Sequence, residues 1–230
     1  MNLIKAYESS KDSNKRISEI QNPKESLKAQ KGRNLSCTIR INIDQIKQVF
    51  KGFGGAITES AGYVLSKLSD EESEKVIKSY YGSEKECNCY TFARTHMNSC
   101  DFSLGNWACA QEKDETLSNF SFKQTDKYMT PYLKAAKKIN GNLKILVSPW
   151  SPPAWMKTNS DMNRGGKLKE EYRALWAEYF VRFIKGLGEK NLNVNFVSIQ
   201  NEPAAAQPWD SCLWTGTEEA EFAVDFLRSL

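Results

Sequence analysis

The sequence predicts an α/β fold built on a parallel sheet. From residue 53 onward, strand-like and helix-like stretches alternate four times. Such alternation makes right-handed βαβ units, whose strands must run parallel. The 230 residues are 40% hydrophobic and 26% charged, an ordinary globular balance able to bury a sizeable core. Four units make either a small open sheet or half of an eight-fold β/α barrel, whose complete form takes about 250 residues. Here the four units already occupy most of the chain, because the loops after the strands are long. The chain ends in a helix without a C-cap, which reads as truncation after about four units.

The elements follow in order. Residues 1–33 are polar and read as a loose arm or an edge strand. From Leu35, apolar Cys37, Ile39 and Ile41 alternate with Thr38, Arg40 and Asn42, the pattern of a half-buried strand. FGGAIT (53–58) is a short strand with glycines, followed by a helical stretch. Ser69 and Glu72 form a capping box for a helix over Asp70–Tyr80. YTFARTHM (90–97) is the second strand. A long polar loop, 98–123, leads to a helix near Lys127–Ile139, closed by Asn140-Gly141. LKILVS (143–148) is the third strand, and a helix over Lys169–Leu187 follows. VNFVSIQ (194–200) is the fourth strand, and Thr217 is placed to cap the last helix.

Composition excludes several classes. Net charge is +4, from 32 basic and 28 acidic residues. Residues 1–33 hold eight Lys/Arg against four Asp/Glu, and the remainder holds 24 of each. A neutral body argues against nucleic-acid binding as the main activity. No run of 18 apolar residues occurs, which excludes a transmembrane helix. The N-terminus lacks the apolar centre of a secretory signal, so the chain as written reads as cytoplasmic, or as secreted if an upstream signal has been lost. The six cysteines, at 37, 87, 89, 100, 109 and 212, read as reduced thiols. Cys87 and Cys89 are too closely spaced for a zinc knuckle, and His96 is the sole histidine. Neither a metal nor a cofactor is expected. Gly52, Gly54 and Gly55 do not make a phosphate loop, because no Gly-Lys-Ser/Thr follows.

The candidate chemistry clusters just past strand ends, where such folds place their sites. Glu59 follows the first strand. Arg94 lies in the second, with Asp101 beyond it. Trp150 follows the third, and Asn201-Glu202-Pro203 follows the fourth. Carboxylate, arginine, amide and indole on one rim suit a sugar, with polar groups for hydroxyls and an aromatic face for the ring. Glu202 is the choice for a general acid, held on stiff backbone because Pro203 restricts its predecessor to extended angles. Asn201 beside it can bond a sugar hydroxyl. The residue pattern leaves structural readings open as well. Glu202 fits an ordinary turn, Asp101 an Asx-turn, Trp150 a core position, and Glu59 a helix N-terminal acid. Arg94, inside an apolar strand, calls for a carboxylate partner, either as a structural ion pair or as an active-site clamp. His96 reads as a structural residue.

Together the stretches KGFGGAITES (51–60), NSCDFSLGNW (98–107), SPWSPPAWMKTN (148–159) with MNRGGKLK (162–169), and QNEP (200–203) resemble glycoside hydrolase family 30. They stand in that family's order and spacing over roughly residues 35–230. It is the family of acid β-glucosidase (glucosylceramidase) and of bacterial endo-β-1,6-glucanases. The resemblance implies a (β/α)8 TIM barrel with an accessory β-sandwich. Residues 1–48 would be an arm and sandwich strands, and 49–230 the first half of the catalytic barrel. It also implies a retaining mechanism on β-glucosidic bonds, in glucosylceramide or a β-glucan, with two glutamates. Glu202 is then the general acid/base, and Asn201 the residue on the sugar 2-hydroxyl. Asp101 and Trp150 become sugar ligands, with Arg94 near the carboxylates. Glu59 stands where family members often carry Asp. The nucleophile belongs to the seventh strand, beyond Leu230; only Glu59, Asp101 and Asp210 are carboxylate candidates within the chain. The alternative reading is an inactive fragment that at most binds sugar weakly. A half-barrel also exposes strand edges, which predicts self-association.

Overall fold

The computed structural model describes residues 5–23 and 39–228. The chain divides into two compact units, Met1–Val49 and Phe50–Leu230. In the first, β1 (Tyr7–Glu8) pairs antiparallel with β2 (Ser18–Glu19). The strand expected over 35–42 is absent where it can be judged. Residues 39–42 are irregular, and Ile39 and Ile41 are 83% and 76% exposed. Alternation makes a strand only where a ladder partner and a buried face receive it, and neither is present among the described residues. Leu35 to Thr38, Cys37 among them, lie outside the described residues.

The second unit holds one parallel sheet of four strands in sequence order. These are β3 (Gly54–Ile57), β4 (Phe92–Met97), β5 (Lys144–Pro149) and β6 (Val194–Val197). Between them run α1 (Glu59–Leu65), α2 (Asp70–Tyr81), α3 (Lys123–Ile139) and α4 (Arg173–Gly188). A short α5 (Gly216–Glu221) follows, continued by a π-helical turn over Phe222–Leu227. No helix among the described residues is long and apolar enough to cross a membrane.

Local chemistry sets these boundaries. Ser69 and Glu72 form the expected capping box of α2: Glu72 N–H donates to Ser69 Oγ, and Ser69 N–H to Glu72 Oε2. The last helix is capped by Thr215 with Glu218, not by Thr217, because only Thr215 stands three residues before a reciprocating glutamate. α3 starts four residues before Lys127. Its N-cap, Phe122, makes no side-chain cap bond; instead its ring stacks on Phe183 at 5.3 Å. Packing and the Lys123 N–H donating to Ser121 Oγ at 3.2 Å fix that end. α4 begins at Arg173 because residues 170–172 form a 3-10 turn first.

Strand parity sorts the sheet into two faces. Ile57, Ala93, Met97, Ile145 and Val147 point toward the helices and are buried. There they meet Met129 and Leu133 of α3 and Trp176, Phe180 and Phe183 of α4. The other face carries Ala56, Arg94, Leu146 and Phe196 in one register row. Phe196 and Ala56 remain exposed on it. The β5–β6 pairing shifts register between Ile145 and Leu146, so Asn195 is an extra residue; its Oδ1 accepts the Ile145 N–H at 2.9 Å. The helix layer closes tightly at Gly62, where a β-carbon would lie 2.4 Å from the Tyr128 carbonyl oxygen on α3. Gly62→Ala gains up to about 1 kcal/mol of helix propensity but must push α1 off α3. We expect a net loss of about 1–3 kcal/mol in urea unfolding, against under about 0.5 kcal/mol for Gly105→Ala, which meets open space. Equal midpoints for the two variants would contradict this packing.

Candidate active site

The carboxyl ends of β4, β5 and β6 converge on Arg94. Its Nη2 donates to Asn201 Oδ1 at 2.7 Å and to Ser148 Oγ at 3.0 Å. Its guanidinium lies over the Trp150 ring, 4.5 Å from the centroid. The expected carboxylate partner is therefore replaced by an amide, a hydroxyl and an indole face. These engage both Nη2 donors and one face of the guanidinium without a formal ion pair. Burial pulls the Arg94 guanidinium below its usual range, and Cys100, Asp101 and Glu202 act against that shift. Asp101 and Glu202 thus lie within electrostatic reach of the same cation.

Glu202 is exposed, and its φ is +47°, not extended. The proline restriction is overridden by the turn that carries it. Asn201 N–H donates to Pro149 O (2.9 Å), Ala205 N–H to Glu202 O (3.0 Å), and Trp214 N–H to Pro203 O (2.8 Å). A left-handed non-glycine residue costs about 1 kcal/mol or more and persists only where its surroundings enforce it. Asp101 is exposed and makes no hydrogen bond among the described residues. Trp150 is buried, with one ring face taken by Arg94.

The other acidic candidates are committed elsewhere. Glu59 is the first residue of α1 and is 1% exposed. Its Oε2 accepts from Trp107 Nε1 (2.9 Å) and Leu104 N (3.1 Å), so it holds the loop after β4. Asp210 is buried, and its Oδ1 accepts from Ser99 Oγ (2.6 Å) and Asn106 Nδ2 (3.0 Å). Burial pushes its pKa up against those bonds. Structure thus brings Arg94, Trp150 and Asn201 into direct contact and leaves Asp101 and Glu202 free at the same rim.

Several supporting residues escaped the sequence reading. Gln200 Nε2 donates to the Trp150 and Asn201 carbonyls, at 2.6 and 2.9 Å. Asn98 Oδ1 accepts from Cys109 N and from the Tyr179 hydroxyl, while its Nδ2 donates to Ser151 O. Lys157 is fully buried, with Nζ donating to Met162 O (3.0 Å) and Ser211 O (2.6 Å); burial lowers its pKa to about 8. Position at the head of the QNEP and SPW stretches was the only available signal for Gln200 and Ser148. A lysine inside the MKTN stretch gives none.

His96 is the structural residue expected. Its Nε2 accepts the Glu59 N–H at 3.0 Å, so Nδ1 carries the proton and donates to Asn98 O at 2.5 Å. This neutral ring pins α1 to the loop bearing Asp101. Burial lowers its pKa from 6.5 to about 4.

Residues 50–229 match the model of the glycosyl hydrolase family 30 TIM-barrel domain. The chain is 34% identical over 165 residues to mouse lysosomal acid glucosylceramidase, covering 69% of this chain and 32% of that protein. It is 28% identical over 230 residues to an endo-1,6-β-D-glucanase of Neurospora crassa, covering 94% and 46%. The crystal structure of SrfJ from Salmonella typhimurium matches with a TM-score of 0.76 at 40% identity, covering 79% of this chain and 41% of that one. The chain belongs to glycoside hydrolase family 30. It spans less than half the length of each of these relatives, and its four strands are half the number of an eight-stranded barrel.

Between about pH 6.5 and 4 the unfolded state takes up a proton that buried His96 refuses, so stability falls on acidification through that window, by about 3 kcal/mol in all. His96→Gln offers a neutral donor and acceptor without the titration and should flatten that part of the profile. Parallel urea midpoints for the two proteins from pH 7 to 4 would rule this out.

Proposed function

We propose that this chain carries the acid/base half of a retaining β-glycosidase site for β-glucosides, such as glucosylceramide or a β-glucan. The single observation that carries the proposal is the Arg94–Asn201 bond at the rim, with Glu202 next in sequence and unencumbered. Arg94 takes the amide oxygen of Asn201 and so turns the amide Nδ2 outward, toward a sugar 2-hydroxyl. Trp150 and Asp101 flank the same sugar. The names of the mouse and Neurospora relatives support the two substrate classes.

Glu202 in its protonated form donates to the glycosidic oxygen as the bond to the anomeric carbon breaks. A second carboxylate takes that carbon as a covalent ester. Glu202, now ionised, draws a proton from the water that releases the sugar with its configuration retained. That mechanism needs the two carboxyl groups about 5–5.5 Å apart. Glu59 and Asp210 are held by loop donors and are not available for it. Asp101 is read as a sugar ligand, and the nucleophile is assigned outside these 230 residues, to the later half of the barrel, as the family resemblance implies. The same commitment favours a second reading for the chain by itself, sugar binding without cleavage.

Initial rates on an aryl β-glucoside separate these readings. The 230-residue chain should be silent, and a product extended through the later strands should turn over. In the extended product, Glu202→Gln should lower kcat by about 10²–10⁴-fold. Turnover that survives Glu202→Gln would remove Glu202 from the chemistry. Turnover by the short chain that Glu202→Gln abolishes would place the nucleophile within it.

The open edges of β3 and β6 leave main-chain donors and acceptors unpaired among the described residues. Alone, the chain is expected to sediment as species larger than a monomer. A single monomeric boundary across the micromolar range would show that the edges are protected.

A further inference from the structure

We propose that the amino ends of β5 and β6 carry a binding site for a compact, phosphate-bearing polyanion. Four lysines surround one concavity of about 390 Å³: Lys134, Lys137 and Lys138 from α3, and Lys190 from the turn after α4. Asn191 and Leu192 complete the lining. α3 ends just before β5 and Leu192 stands just before β6, so the site lies at the opposite ends of the strands from Asn201 and Glu202.

The charge there is locally unbalanced. One carboxylate, Asp126, approaches the group, holding Lys190 Nζ at 3.0 Å and accepting from Thr130 Oγ1 at 2.8 Å. Lys137 Nζ donates to the Leu143 carbonyl at 3.3 Å. Lys134 and Lys138 are exposed and form no ion pair among the described residues. Glu189, beside Lys190 in sequence, does not line the concavity. Compensation of the α3 dipole accounts only for Lys137 and Lys138, which lie in its last turn. Lys134 sits a turn earlier, and Lys190 belongs to another element. Residues 34–230, these four lysines included, hold 24 charges of each sign, so this concentration is local.

The chemistry selects phosphate. Lysine is a compact point charge with rotatable donors, so four of them suit the dense charge and many oxygens of a polyphosphate; the arginine fork serves planar carboxylate and phosphate contacts alike. The site contains no arginine. Its concave shape fits a small group carrying two or more phosphates, either free in solution or at the head of a lipid.

The test uses the full 230-residue chain, its folded state followed by circular dichroism. Titration calorimetry with pyrophosphate and with inositol hexakisphosphate reads free polyphosphate. Flotation with phosphatidylcholine vesicles, with and without a phosphoinositide, reads the lipid source. Binding in either arm is expected to weaken by about tenfold or more in Lys134→Glu/Lys138→Glu, and to weaken between 50 and 200 mM salt. Those two side chains are exposed and unpaired, so the variant should keep its fold. Lys75→Glu, on α2, is the control and should bind as the parent does. No heat and no flotation at millimolar phosphate overturns the proposal. So does an equal loss in the control, which would mean unspecific charge attraction.

Discussion

A guanidinium embedded in β4 joins the ends of three strands. Arg94 reaches across β5 through Ser148 to Asn201 beyond β6, and rests on the indole that follows β5. Hydrogen bonds to a charged group are worth about 1.5–3 kcal/mol each, while a buried donor without a partner costs a similar amount. The rim therefore assembles as a unit. Removing the asparagine amide would leave a half-buried cation short of a partner, and removing the arginine would leave the amide free to turn.

The loops beyond that unit are fastened to one another more than to the sheet. Asp210 holds Ser99 and Asn106, which flank Asp101 on the loop after β4. Lys157, from the loop after β5, donates to Ser211 on the loop after β6. Between them, Ser211 N–H meets Met162 O, and Leu213 N–H meets Gly166 O. Two buried charges of opposite sign thus sit where three loops meet, each solvated by neutral groups of a neighbouring loop. Loops built this way keep a fixed mutual geometry although they carry little regular structure.

Much of this was legible from the amino acids. The four strands followed from apolar runs, and the Ser69/Glu72 cap followed from spacing alone. The rim candidates were legible too, because Asp101, Trp150, Asn201 and Glu202 stand just past strands and Arg94 is a charge within one. What escaped has a common cause, since it depends on contacts far apart in sequence. Phe122 helps start α3 by stacking on Phe183, which no local pattern announces. Glu202 takes a positive φ because one local main-chain bond and two to other segments outweigh the preference imposed by Pro203. Arg94 found neutral partners, whereas charge logic along the strand calls for a carboxylate. Alternation at 39–42 had nothing to pair with, so the right pattern made no strand.

The extra residue at Asn195 has a reach beyond its own bond. Strand side chains change face with every residue, so one added position decides which half of β6 looks inward. With it, Phe196 joins the row of Ala56, Arg94 and Leu146. Without it, that row would receive Asn195, and everything downstream would leave the sheet half a pleat out of phase. The amide side chain that fills the gap in the ladder is thus also the parity bit of the rim, and the azimuth at which Asn201 and Glu202 emerge is counted from it.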